Sequence, residues 1–189
     1  MVRLSRIYTR TGDNGESGLV GGERRRKSDP RFVAIGSVDE TNAAVGLARL
    51  DPVDAELDLM LGRIQNDLFD LGSDLATPGE KGSAGHAPLR ISDAQVKRLE
   101  EEIDKLNAHL APLNSFVLPG GGRASAALHF ARTVARRAER DMVALSETER
   151  VSGPALRYIN RLSDFLFVAA RFANDRGAGD VLWVPGANA

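Results

Sequence analysis

The stretch LSDFLFVAARFA, residues 162–173, decides the fold. Its apolar side chains fall on nearly every side of a 3.6-residue turn. A helix with no polar face is buried all round. Either it runs through the centre of a helical bundle, or a second copy of the chain covers it. In a chain of only 189 residues the reading favours the second copy.

Outward from there, four further segments carry helical spacing. Residues 32–50, FVAIGSVDETNAAVGLARL, place Ala, Val, Ile and Leu three and four apart. Residues 54–76 align Leu57, Leu61, Ile64, Leu68, Leu71 and Leu75 in one stripe. Ser92 is an N-cap for a third helix, with acids in its early turns and Leu99, Ile103, Leu106 and Leu110 as its stripe. The stretch APLNSFVLPGGG breaks it, and a fourth helix covers about 124–145. The fifth begins near Pro154 and ends near NDRGAGD, 174–180. Residues 77–90 read as a loop, and VLWVP, 181–185, as a strand or an extended clamp. Few segments read as strands. The expected architecture is all-α: one domain over residues 1–189, with an antiparallel five-helix bundle over about 31–175 behind an N-terminal segment, 7–29.

Bulk properties narrow the function. With 42% hydrophobic and 27% charged residues the composition is globular, and a formal net charge of −1 provides no field to gather nucleic acid. The absence of cysteine excludes disulfides, thiolate metal sites and cysteine nucleophiles. No h-region opens the chain and no run approaches 18 apolar residues, so a soluble, cytoplasmic protein away from membranes is expected.

Three polar sets exceed what a bundle needs. The first is YTRTGDNGESGLVGGERRRKSD, residues 8–29. Thr9, Thr11, Ser17 and the amides of Gly12, Gly15, Gly18, Gly21 and Gly22 supply short donors, followed by Arg24, Arg25, Arg26 and Lys27. Successive amides on such backbone form a concavity for anions. A phosphate cradle and a flexible glycine-rich tail both explain it, and no P-loop pattern occurs. The second is the row Arg132, Arg136, Arg140, spaced i, i+4, i+8. Like charges so placed repel, so the row calls for a facing anion or carboxylate, unless it is a solvated face. The third is Asp39 and Glu40 with Asn160 and Asp164. Each interrupts an apolar run, and buried acids need partners; ion pairs across helices or subunits are the expected use. Between the sets lies SFVLPGGG, where Phe116 either packs in the core or presents its ring at a flexible corner. His86, His109 and His129 are too dispersed for a local ligand pair, and no Ser-His-acid arrangement appears.

Taken in order, YTRTGDNG, GERRRK, GSVDETNAAVG, SFVLPGGG, ALHFARTVARRAER and YINRLSDFLFVAARFAN resemble the PduO-type ATP:cob(I)alamin adenosyltransferases over about residues 7–174. The resemblance implies a homotrimer with active sites between subunits, transferring the 5′-deoxyadenosyl group of ATP to cob(I)alamin and releasing triphosphate. It implies that Thr9, Arg10, Thr11, Gly12, Ser17 and Gly18 line the nucleotide and that Lys27 touches phosphate. Arg136, Arg137, Ala138, Glu139, Arg140 and Asn160 complete the ATP site, with Arg136 and Phe116 carrying the chemistry. Phe116 lies against the corrin's lower face, Asp39 pairs with Arg132 across the interface, and Mg2+ accompanies ATP. A reductase and an adenosylcobalamin-dependent client enzyme are the implied partners. The run GESGLVGGE departs from the family, which places more hydroxyls there, so amides stand in for side chains around Ser17 and Gly18. An ATP-dependent phosphotransferase, a non-catalytic adenosylcobalamin carrier and a purely structural trimeric bundle are the competing readings.

Overall fold

The structure is a computed structural model that describes residues 7–51, 54–79 and 87–187; His86 lies outside them. Its order is β1 (Glu16–Gly18), β2 (Arg24–Arg26), α1 (Pro30–Ala48), α2 (Ala55–Leu75), α3 (Asp93–Asn107), α4 (Arg123–Ser146) and α5 (Gly153–Phe172). The helix starts are written in side-chain oxygens. Asp29 accepts from the Arg31 amide ahead of Pro30, Asp54 accepts from the Glu56 amide, and Ser92 forms a reciprocal capping box with Gln95. Ser152 caps α5 just before Pro154. Only α4 starts on a glycine, Gly122, with no side-chain cap.

α5 settles the opening question against the expectation. Leu162, Phe165, Leu166, Ala169 and Ala170 have no exposed surface within this one chain. Helices α3 and α4 flank α5 and α2 touches it, while α1 packs on α4 and α2. The chain covers its own apolar helix, so that helix does not require a second copy. One continuous cluster of buried side chains draws on all five helices.

The leader is also more ordered than a glycine-rich tail. β1 and β2 pair antiparallel, Glu16 opposite Arg26, Ser17 opposite Arg25 and Gly18 opposite Arg24. Leu19, at the hairpin bend, is buried, and the Val20 amide donates to the Ala76 carbonyl at 2.9 Å. The second tie is ionic. Glu149, in the α4–α5 turn, receives Arg25 at 2.5 Å and Arg31 at 2.7 Å. Arg31 is 2% exposed and also donates to the Leu75 carbonyl at 2.6 Å. Hydrogen bonds from Arg25, then from Arg31, hold the Glu149 carboxyl below its ordinary range. Hydrophobic periodicity carries no sign of this hairpin, because three-residue strands of Glu, Ser, Gly and Arg have no apolar face.

Replacing Glu149 by Gln removes the charge and leaves one acceptor oxygen where Arg25 and the buried Arg31 each had their own. Unfolding by urea is expected to show a loss of about 1–3 kcal/mol, with faster tryptic cleavage after Arg24, Arg25 and Arg26. A wild-type midpoint and cleavage rate would show that the hairpin is held by something else.

Candidate active site

Helix α4 presents its polar side chains along one rising row, and they serve two hollows. The larger, about 660 Å3, lies between the α3–α4 loop, α4 and α5, with Phe116, His129, Arg132, Asp164 and Phe167 among its walls. The second, about 410 Å3, lies over α1 and α4, with Glu40, Phe130, Thr133, Arg137 and Arg140 around it.

In the larger hollow, Phe116 is 76% exposed, so it is a presented ring and not a core residue. The Arg132 guanidinium stacks over the Phe167 ring at 5.5 Å. Burial, then the neighbouring Arg136 charge, pulls the Arg132 pKa down; Asp164 opposes this. His129 is 3% exposed, lies edge-on to Phe167 at 6.1 Å, and leaves Nε2 without a partner. Burial first and Arg132 second hold its imidazole below its ordinary value, against a smaller upward pull from Asp180.

The expectation of buried acids is corrected. Asp39, Glu40, Asn160 and Asp164 are all exposed on the single chain. Glu40 pairs with Arg137, Asp164 with Arg161, and Asn160 donates to Glu139 at 2.7 Å. Asp39 lies in a separate groove of about 380 Å3 between α1 and α2, beside the exposed Phe69, and does not meet Arg132. Ala138 is fully buried in the core, which leaves only its backbone for any ligand. Arg136 and Arg140 are exposed, and Arg140 does no more than donate to the Arg136 carbonyl at 3.1 Å.

The leader forms its own small constellation. Thr9 and Thr11 join through their hydroxyls at 2.9 Å, and Arg24 donates to the Thr11 carbonyl at 2.6 Å. Arg10 takes the left-handed conformation at φ 62°. Lys27 lies across Gly12, where a Cβ would come 3.2 Å from Nζ and 3.2 Å from the Glu16 carbonyl oxygen, a tight fit that glycine relieves. Ser17 and Gly18 are on β1, where Gly18 pairs with Arg24 of this cluster and Ser17 with Arg25. Among the described residues no hydrogen bond or ion pair joins residues 7–29 to Arg132, Arg136, Arg137 or Arg140. The hairpin is anchored beyond the end of α4, which rises about 9 Å further after Arg140. The bonds within one chain therefore do not join the leader to the arginines of α4.

Sequence reading expected VLWVP as a strand or an extended clamp, as the bridge of Leu182 with Val117 shows it to be, and missed that its partner is the Phe116 loop and that Asp180, Arg171 and Asn174 brace it. The only signal was the tryptophan in VLWVP, and five extended residues do not reveal their pairing partner.

Comparison with known proteins gives a consistent answer. The family described as "Cobalamin adenosyltransferase" matches residues 7–173. A corrinoid adenosyltransferase of Mycobacterium tuberculosis is 51% identical over 188 residues, covering 98% of this chain and 96% of the relative. A phenylalanine-to-histidine variant of the PduO-type ATP:corrinoid adenosyltransferase from Lactobacillus reuteri, complexed with cobalamin and ATP, superposes with a TM-score of 0.87 at 39% identity, covering 95% of this chain and 97% of that one. An arginine-to-lysine variant complexed with ATP gives 0.85, also at 39%, over 95% and 100% of the two chains.

His129 generates a pH prediction. Its folded pKa is depressed, so below about 6.5 the unfolded chain binds a proton that the folded chain refuses. Stability is therefore present above that range and falls as pH drops through it. Thermal melts between pH 8 and 5 are expected to slope downward, and His129→Asn to flatten that slope. Parallel slopes would mean that the imidazole is not held neutral.

Proposed function

The chain belongs to the cobalamin adenosyltransferase family, and we propose from that premise how its residues share the reaction it catalyses, the ATP-dependent transfer of an adenosyl group to cobalamin. The observation that carries the assignment is electrostatic. Among the described residues Arg132, Arg136, Arg140 and Lys27 have no carboxylate within ion-pair reach, although Arg137 is paired with Glu40. Unpaired cations on a fixed helix are poised for a polyanion.

In this reading the cobalt of cob(I)alamin supplies the electron pair that forms the bond to C5′ of ATP. The C5′–oxygen bond breaks and its pair leaves with triphosphate. Arg136, Arg140 and Lys27 meet the charge growing on the departing oxygens. Thr9, Arg10, Thr11 and Gly12 line the nucleotide, while Ser17 and Gly18 serve through backbone amides. Asn160, steadied by Glu139, fixes the remaining polar edge. No general base is required, because the nucleophile is the metal of the substrate. The exposed Phe116 ring faces the corrin and keeps water and the lower axial base from cobalt, which eases reduction from the cobalt(II) state. Mg2+, where bound with ATP, would offset phosphate charge beside Arg136, Arg140 and Lys27; the described residues offer no cluster of three His, Cys, Asp or Glu side chains to hold it alone.

Assembly completes the site. The leader of one protomer faces the α4 row of the next, and Asp39 reaches Arg132 across the seam, in a homotrimer. Support comes from the lack of bonds, among the described residues of one chain, between the leader and the α4 arginines, and from the open grooves at Asp39 and Phe130. We place the enzyme in the cytoplasm, between a cobalt reductase and an adenosylcobalamin-dependent client.

Reduced cobalamin and ATP, mixed anaerobically with the protein, are expected to give the alkylcobalamin spectrum with triphosphate as co-product. ADP or orthophosphate would instead indicate phosphotransfer, and binding without turnover a carrier. Arg136→Ala is expected to lower kcat by about 100-fold or more and to leave the oligomer intact; a monomeric variant would make the row structural. Phe116→Ala should spare ATP binding and slow adenosylation, and an unchanged rate would remove the ring from the mechanism.

A further inference from the structure

Residues 180–184 return across the loop that bears Phe116 and pair with it edge to edge. Val117 and Leu182 form an antiparallel bridge. The Leu118 amide donates to the Val181 carbonyl and the Trp183 amide to the Phe116 carbonyl, both at 2.8 Å. The Ser115 hydroxyl donates to the Trp183 carbonyl at 2.7 Å. These bonds set the Trp183 indole against the Phe116 ring, with centroids 5.9 Å apart and planes inclined at 58°, a favoured aromatic geometry.

The strip is pinned at its root. Asp180 is almost fully buried and accepts from Arg171 Nε at 2.7 Å and from Asn174 Nδ2 at 3.2 Å. Arg171 also donates to the Ala111 carbonyl at 3.0 Å, where the loop begins. Asn174 Oδ1 accepts the Gly122 amide at 3.0 Å, where the loop ends. Gly121 has φ 86°, and a Cβ there would collide with Asn174 at 2.4 Å. One buried carboxylate thus ties the two ends of the loop to the strip that holds its middle.

We infer that Trp183 is a positioning residue for Phe116: the strip 180–184, pinned at Asp180, fixes the backbone and the ring of Phe116 at the mouth of the larger hollow before the corrin arrives. An exposed ring on a loop that ends in Gly120, Gly121 and Gly122 would otherwise sample several rotamers. Each would have to be abandoned on binding, and a misplaced ring would admit an axial ligand. This inference rests on the adenosyl-transfer reading for what the ring does, and on the contacts above for how it is held.

The test uses the full chain with cob(II)alamin, ATP and a one-electron chemical reductant that delivers cob(I)alamin for turnover, the reductant being left out for the cob(II)alamin spectra. Trp183→Ala is expected to lower kcat on the order of tenfold, as small misplacements of a positioned group do. The KM for ATP should stay within about twofold, because none of the residues assigned to the nucleotide is among the strip's bonding partners. Absorption and electron paramagnetic resonance should show bound cob(II)alamin moving from the four-coordinate to the five-coordinate form. Trp183→Phe, which restores an aromatic brace, should recover most of both signals. In a Phe116→Ala background Trp183→Ala should cost nothing further. Unchanged turnover and cobalt spectrum, or losses that multiply in the double variant, would overturn the inference. A second readout needs no turnover: Trp183 is the single tryptophan of the chain, so Phe116→Ala should shift its emission to the red. Unchanged emission would overturn the contact. Absence of adenosylcobalamin from the wild-type chain would sink the function reading and leave the emission to judge the brace.

Discussion

The burial of α5 is the constraint on which the rest of the molecule depends. The apolar side of α5 has to be covered, and α3, α4 and α2 do this within one chain, leaving Asn160 and Asp164 exposed. Once α4 lies along α5, the direction of its polar face follows. His129 and Arg132 turn toward Phe167 and Asp164 of α5, while Arg137 and Arg140 turn toward α1. The arginine row therefore rests on a helix whose other side is packed into the core. A densely packed helix holds charged side chains in place when nothing neutralises them.

The unneutralised charges give the site its character. Nearly every other arginine of the bundle meets a carboxylate: Arg31 and Glu149, Arg49 and Asp58, Arg63 and Glu102, Arg98 and Asp67, Arg171 and Asp180. Arg132, Arg136 and Arg140 stand apart, and the half-buried Arg132 has its proton affinity lowered by burial and by its neighbour. A fold that pairs so many cations and omits three on one helix has left room for negative charge from outside the chain.

Much of this was legible in the residues. The five helices follow from Leu, Ile and Ala at three- and four-residue spacing, and their starts follow from Asp29, Asp54, Ser92 and Ser152. Arg132, Arg136 and Arg140 could be placed on one face from their spacing alone. Other features could not be read. Asp39 and Glu40 look buried in a helical window, yet they fall on the outer side of α1, because burial depends on which neighbour arrives. The hairpin at Glu16–Gly18 and the clamp at Val117 and Leu182 are made by backbone pairing between short segments, one of them joining residues far apart along the chain. Such bonds leave no periodicity. Arg31 shows the same limit: its partner lies 118 residues away.

The anchoring of the leader at Glu149 also has a consequence in time. The hairpin leaves the ribosome before its ionic anchor, which follows 124 residues later. At ordinary rates of synthesis that interval is roughly 6–25 s. Through it the hairpin has the Ala76 carbonyl for Val20 but lacks the carboxylate that receives Arg25, so its ionic tie closes only after the α4–α5 turn has been made.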